Sequence, residues 1–171
     1  MKNIFLIGFM GTGKSSVGAD LQKEYDMQLI EMDSLIEQEQ KMRIPDIFQK
    51  YGEAYFRNLE TELLRRIQEH EHQVVSCGGG VPMREENVTE MKKNGTVVLL
   101  TATPETILNR VKDDENRPLL KGRKTVEGIE ELLVQRRDRY EVAADIVVET
   151  DGKDPKQILR EIMRKIGEAL C

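Results

Sequence analysis

The chemistry most plainly written in this chain lies in Gly8-Phe9-Met10-Gly11-Thr12-Gly13-Lys14-Ser15, a G-x4-G-K-S loop directly after the apolar run Ile4-Phe5-Leu6-Ile7. Glycines in such a loop let successive main-chain N–H groups turn inward around phosphate oxygens, where a Cβ would strain the chain or block the anion. Lys14 suits the β- and γ-phosphates of a nucleotide, and the Ser15 hydroxyl suits a Mg²⁺ ion. A helix running on from Lys14 would aim its positive end at the same anion. The bland alternative is a glycine-rich turn with no ligand. A strand before, Lys-Ser within and a helix after weigh against it.

A phosphate loop alone leaves kinase, GTPase and ATPase open, and further residues narrow the choice. Glu31-Met32-Asp33 closes the second apolar run, and alternation in an extended segment places both carboxylates on one side, where a Mg²⁺ and an acceptor hydroxyl would sit. Asp33 is equally suited to cap a helix starting at Ser34. Cys77-Gly78-Gly79-Gly80-Val81-Pro82 follows Val74-Val75-Ser76; three glycines in a row suit close main-chain approach to a ligand, or an unusual turn. Cys77 is most simply a small buried side chain. Arginines stand at Phe56-Arg57, in Arg117-Pro118-Leu119-Leu120 and at Arg136-x3-Tyr140. Their forked donors fit carboxylates and phosphates, although each taken alone reads as an ordinary surface residue.

Positioning these groups requires a parallel sheet. Strand-like runs recur at 3–7, 28–31, 73–77, 96–100 and 145–149, with mostly helical spans between them, the βα alternation of a sheet covered on both faces. Residues 15–25 follow the phosphate loop as a helix, and 34–50 read as one or two short helices interrupted before Pro45. Asn58 to Glu69 reads as a longer amphipathic helix with Leu59, Leu63 and Ile67 on its core face. Thr103-Pro104-Glu105 starts another, with Thr103 as N-cap. Lys112 to Lys124, charged and broken by Pro118 and Gly122, reads as a mobile loop, after which a helix continues toward Tyr140. A turn at Gly152 to Pro155 leads into a C-terminal helix. Ligands collect beyond the carboxyl ends of parallel strands, so the phosphate loop, Asp33, the glycines at 78–80 and the 150–155 turn can share one rim.

Composition sets outer bounds. A chain of 171 residues predicts one domain with its own core, and with 5% aromatic residues and no Trp that core must be mainly aliphatic. The net charge of −5 argues against a general nucleic-acid or anionic-membrane binder. No apolar stretch approaches the roughly 20 residues that span a bilayer, and the N-terminus does not read as a signal peptide. Two cysteines, Cys77 and Cys171, make no disulfide framework, and no Cys/His spacing suggests zinc. His70 and His72 read as a solvated helix end. The expectation is a cytoplasmic, monomeric protein.

With these motifs in this order, the chain closely resembles the shikimate kinases, over essentially its whole length, from GFMGTGKS through MD, FR, GGG and RPLL to RRDRY. The resemblance implies a P-loop kinase with a five-stranded parallel sheet covered by helices on both faces. Residues 1–171 would form a single domain, with substrate-binding helices at about 33–60 and a lid at about 112–124. It implies transfer of the ATP γ-phosphoryl group to the 3-hydroxyl of shikimate, giving shikimate 3-phosphate and ADP on the way to chorismate and the aromatic amino acids. By this resemblance Asp33, Arg57, Gly79, Gly80 and Arg136 contact shikimate, the arginines holding its carboxylate and Asp33 its hydroxyls. Gly11, Thr12, Gly13, Lys14, Ser15 and Ser16 hold the ATP phosphates, Arg110 and Pro155 flank the adenine, and Arg117 reaches in from the lid. Lys14, Asp33 and Arg117 would carry the catalytic roles. One departure stands out: the family often has Asp-x-Asp where this chain has Glu31-Met32-Asp33. Mg²⁺ is assigned to Ser15, with Glu31 a candidate through water. A different small-molecule kinase of the same fold, such as a gluconate kinase, is the nearest competing expectation; a nucleotide-dependent binding module without turnover is the competitor from another class.

Overall fold

The computed structural model describes residues 1–112 and 124–170. Its elements are β1 (Asn3–Ile7), α1 (Lys14–Tyr25), β2 (Gln28–Glu31), α2 (Met32–Gln40), α3 (Ile44–Tyr51), α4 (Glu53–Ile67), β3 (Gln73–Ser76), α5 (Glu85–Lys93), β4 (Gly95–Thr101), α6 (Pro104–Val111), α7 (Val126–Ala143), β5 (Ile146–Glu149) and α8 (Pro155–Ala169), with a 3-10 turn at Val81–Met83. The strands form one five-stranded sheet in the order β2-β3-β1-β4-β5, and every pairing is parallel.

A parallel sheet buried on both faces needs apolar side chains at successive positions. All five residues of β1 are buried. Phe5 and Ile7 pack into a layer with Val75, Val97, Leu99 and the apolar sides of α2 to α7. Ile4 and Leu6 point the other way, toward Val17 and Leu21 of α1 and Ile158, Leu159 and Ile162 of α8. The sheet is thus covered on both faces, as the βα alternation predicts. Strand order reverses at β1, which lies between β3 and β4. The crevice at such a reversal is where open α/β sheets receive ligands, and the phosphate loop opens from it.

Two local departures from the sequence expectation bear on the site. The helix expected from Ser34 begins at Met32, with Glu31 as its extended N-cap residue and no side-chain cap bond. Asp33 therefore lies inside the first turn of α2 and does not cap it; a carboxylate there is favoured by the helix dipole. Strand alternation stops at Glu31, so the shared orientation of Glu31 and Asp33 comes from the strand-to-helix switch. The helix expected over 58–69 begins five residues earlier, at Glu53, and ends at Ile67. Gly52, at φ 88° and ψ 169°, separates it from α3, and Glu53 supports the first turn as an acid at a helix N-terminus. Phe56 and Arg57 are consequently residues of α4 and do not precede it. His70 and His72 lie exposed beyond its end.

Candidate active site

A cavity of about 500 Å³ opens along the carboxyl ends of β1, β2 and β3, within the range of small-ligand sites. One wall is the phosphate loop: Gly11, Gly13, Lys14, Ser15 and Ser16 line it. Gly13 has φ 99° and ψ 17° and caps α1 with no side-chain bond. A Cβ there would meet nothing within 4 Å, so the glycine is required by backbone conformation and not by space. Lys14 Nζ donates to the carbonyls of Gly8 and Phe9 at 2.7 and 3.0 Å. Thr12 turns inward, its hydroxyl donating to Phe9 O at 2.8 Å; buried and off the cavity wall, it braces the loop from behind. Arg110 of α6 joins the wall, its Nη1 donating to Gly11 O at 2.8 Å and to Thr150 Oγ1 at 3.3 Å.

Glu31 and Asp33 enter at the end of β2. The Ser15 hydroxyl donates to Glu31 Oε2 at 3.1 Å, which joins two hard oxygens at the edge of the phosphate loop. Among the described residues no group of three or more His, Cys, Asp or Glu side chains converges as a metal cage. Mg²⁺ beside a nucleotide is commonly held by one or two protein oxygens, with phosphates and water completing its shell, and the Ser15–Glu31 pair has that character.

The rest of the cavity is lined from α4, the glycine loop after β3, and α7. Arg57 Nη1 donates to Glu60 Oε1 at 2.7 Å and Nη2 to Glu53 Oε1 at 3.2 Å. Glu60 is fully buried, and its Oε2 has no hydrogen-bond partner among the described residues. Burial pushes the Glu60 carboxyl up to about 7, against the pull of Arg57 and with a further push from Asp33. The Arg57 guanidinium moves the other way from what its burial favours: attraction to Glu60 and Glu53 outweighs desolvation and raises it further, so it stays charged. Arg136 of α7 is almost fully buried, with its Cζ 5.7 Å from the Phe9 ring centre. The site thus combines the buried Arg136 and the part-buried Arg57 with two acids, Asp33 and Glu60.

Why three glycines stand at 78–80 is settled by space. None of the three has positive φ. A Cβ on Gly78 would lie 2.7 Å from Glu60 Oε2 and 2.9 Å from Asp33 Oδ1, and one on Gly80 would lie 2.5 Å from Arg57 Cζ. Close approach, and not an unusual turn, excludes side chains here. Cys77 below the loop is buried, and its thiol is held well above the ordinary range, first by burial; it is a packing residue with no nucleophilic character.

Gly11, Gly13, Lys14, Ser15, Ser16, Glu31, Asp33, Arg57, Gly79, Gly80, Arg110 and Arg136 therefore meet on one cavity. Pro155 begins α8, exposed and off its wall. Arg117, most of the expected lid at 112–124, and Cys171 lie outside the described residues. Sequence reasoning did not single out Glu60. Its spacing of three from Arg57 was the available signal, but one acid among 31 carries no mark of burial.

A family model described as "Shikimate kinase" matches residues 10–167. The chain belongs to the shikimate kinase family. A shikimate kinase of Sulfurihydrogenibium sp. is 45% identical over 166 residues, spanning 97% of this chain and 98% of that protein. Among solved structures, shikimate kinase from Acinetobacter baumannii in complex with shikimate superposes with a TM-score of 0.93 at 32% identity, covering 98% of this chain and 94% of that one. A gluconokinase of Sinorhizobium meliloti gives 0.62 at 18% identity, covering 98% and 92%, a likeness of fold alone. The shikimate kinase family thus takes precedence over the gluconate kinase alternative.

Proposed function

We propose that this protein transfers the γ-phosphoryl group of ATP to the 3-hydroxyl of shikimate, giving shikimate 3-phosphate and ADP on the route to chorismate and the aromatic amino acids. The observation that carries the proposal is one cavity lined both by the phosphate loop and by Asp33, Arg57 and Arg136. Donor and acceptor would meet there without either crossing solvent. Membership of the family supplies the acceptor's identity, and the Acinetobacter relative is a structure with shikimate.

In this assignment Arg57 and Arg136 hold the acceptor carboxylate through their forked donors. Gly79 and Gly80 let the ring lie against main chain, and Asp33 orients the acceptor hydroxyl and receives its proton. Lys14 exchanges the carbonyls of Gly8 and Phe9 for phosphate oxygens, and the amides from Gly11 to Ser16 stabilise the charge that develops on them. Arg110 and Pro155 flank the adenine. Arg117 adds positive charge from the lid at 112–124, whose closure excludes water. Mg²⁺, when bound, would supply charge neutralisation to the phosphates. Ser15 would hold it directly and Glu31 through water, a role supported by their 3.1 Å contact.

We further read residues 1–171 as one domain acting as a cytoplasmic monomer, with no nucleic-acid or membrane partner. The net charge of −5 weighs against a general nucleic-acid or anionic-membrane binder, and no helix among the described residues is long and apolar enough to cross a membrane. The test of function is an ATP- and Mg²⁺-dependent assay that detects shikimate 3-phosphate itself, since ADP release also reports uncoupled hydrolysis. Gluconate and nucleoside monophosphates run in parallel; phosphorylation of either in preference to shikimate would reverse the assignment. Asp33→Asn is expected to abolish most transfer while nucleotide binding persists, and near-normal turnover would remove Asp33 from the reaction.

A further inference from the structure

Holding an acceptor between Arg136 and the main chain at Gly79 requires those two groups to keep a fixed separation, and the carbonyl of Gly79 is held from outside its own segment. The backbone at 78–80 adopts ordinary negative-φ conformations, so the loop is not locked by any special dihedral. The carbonyls of Gly78 and Gly80 close local turns, accepting from Val81 N and Met83 N at 3.1 Å each, while those of Gly79, Val81 and Pro82 are gripped from other elements. Asn87 Nδ2 of α5 donates to Val81 O at 2.9 Å. From α7, Arg139 Nε donates to Pro82 O at 3.3 Å, and Tyr140 Oη donates to Gly79 O at 2.7 Å. The same Tyr140 oxygen accepts from Arg136 Nη1 at 3.4 Å. Residues four apart share a helix face, so one phenol can touch both its own helix's arginine and a glycine 61 positions away in the chain.

We propose that Tyr140 is a positioning residue for the acceptor site, its hydroxyl setting the distance between the Arg136 guanidinium and the Gly79 main chain. The proposal rests on the assignment of Arg136 and Gly79 to shikimate. Two features support it independently of the bond lengths. A Cβ on Gly79 would lie 3.0 Å from Arg136 Nη1 and 3.7 Å from Tyr140 Oη, so the three groups are in mutual contact with no spacer. The phenol is also kept protonated: burial raises it, with Arg136 opposing, so it remains a donor to Gly79 O throughout the neutral range. The ring of Tyr140 belongs to the main core, and Tyr140→Phe keeps that packing while removing only the oxygen.

The experiment is steady-state kinetics of Tyr140→Phe, Arg136→Ala and the double variant, with shikimate and ATP each varied. Tyr140→Phe is expected to raise KM for shikimate on the order of 10-fold, the scale of one buried hydrogen bond left unmade, with KM for ATP unchanged and the thermal midpoint lowered by the same lost bond. In the Arg136→Ala background the same substitution should have almost no effect on shikimate. An equal loss for both substrates, or a Tyr140→Phe effect that persists undiminished without Arg136, would overturn the proposal and leave Tyr140 as packing. If Tyr140→Phe does not fold, the unmodified chain labelled with [¹³Cζ]tyrosine is followed by NMR. The Tyr140 resonance should shift as shikimate saturates the protein, and a stationary resonance overturns the proposal. Wild-type protein that turns over another acceptor but not shikimate would refute the functional assignment itself. Normal shikimate turnover with an indifferent Tyr140→Phe would refute only the positioning role.

Discussion

Gly80→Ala isolates one physical cause in the acceptor site. Gly80 has φ −91° and ψ −2°, a conformation open to alanine, so the substitution brings no backbone strain. What it brings is a methyl group whose carbon would lie 2.5 Å from Arg57 Cζ and 2.7 Å from Nη2. Carbon atoms rest at about 3.5–4.0 Å, so the guanidinium must retreat by roughly 1 Å. That retreat breaks the 2.7 Å bond from Arg57 to the buried Glu60 and moves the fork off the position where it would meet a carboxylate. Misplacement of a binding group by about 1 Å costs on the order of 100-fold, close to 3 kcal/mol. The expected result is a fall of that size in kcat/KM for shikimate, with ATP affinity retained because Arg57 is held by Glu53 and Glu60 of its own helix. Kinetics with shikimate varied at saturating ATP, beside calorimetric titration of nucleotide, separates the two. A Gly80→Ala enzyme within about 2-fold of wild type for shikimate, on a scale where 1 Å is worth 100-fold, would refute the steric reasoning and Arg57's place in the site with it.

Other perturbations test the remaining forces. Gly13→Ala meets no atom within 4 Å yet must adopt φ 99°; a strain of about 1–2 kcal/mol is expected to raise KM for ATP while leaving shikimate binding alone, and unchanged ATP kinetics would contradict it. Glu60 has its carboxyl raised from 4.5 to about 7 in the fold, so its stabilising contribution is full below pH 4.5 and lost as pH rises through 7. Glu60→Gln cannot titrate. Wild-type stability relative to this variant should therefore decline between pH 4.5 and 8, by up to about 3 kcal/mol, and parallel pH profiles in urea melts would count against the raised carboxyl. Asp154 accepts from Gln157 N at 2.9 Å while the Gln157 side chain accepts from Asp154 N at 2.8 Å; Asp154→Ala should remove about 1 kcal/mol of stability, read as a lower urea midpoint at constant slope.

The donor half of the site was legible in the sequence because its chemistry is main-chain chemistry. Phosphate binding by backbone amides demands glycine at fixed positions and a helix start, and both are local properties of residues 8–15. Continuous apolar runs likewise marked the strands. The acceptor half was legible only as a set of residue types. Phe56-Arg57 looked like a segment before a helix because Gly52, one residue ahead of Glu53, was not recognised as the boundary. Alternation correctly paired Glu31 with Asp33 but for the wrong reason, since the strand ends at Glu31. Glu60 and Tyr140 owe their roles to burial and to contacts across distant segments, which no spacing rule reports. The triple glycine left close approach and an unusual turn open, and only the positions of Asp33, Glu60 and Arg57 decide between them.

That division has a physical consequence for how the two halves tolerate change. On the phosphate side the proposed contacts are backbone amides together with the Lys14 and Ser15 side chains, and Thr12 braces the loop from behind through its 2.8 Å bond to Phe9 O. Glycine substitutions there, as at Gly13, act through φ and ψ. On the acceptor side the proposed contacts are enclosed groups, each held by another: the Arg57 guanidinium by Glu60 and the Gly79 carbonyl by Tyr140, both at 2.7 Å. Buried charges cannot be left alone without a penalty of several kcal/mol, so removing a partner displaces or neutralises the group that remains. Effects on this wall should consequently be non-additive, with paired variants such as those at Arg136 and Tyr140 losing less together than their separate losses combined. The Glu60 carboxyl, raised to about 7 by burial, sets the same expectation for pH. A change in its charge alters the hold on Arg57 without touching the phosphate loop, so any pH dependence it produces near neutrality belongs to shikimate and not to ATP.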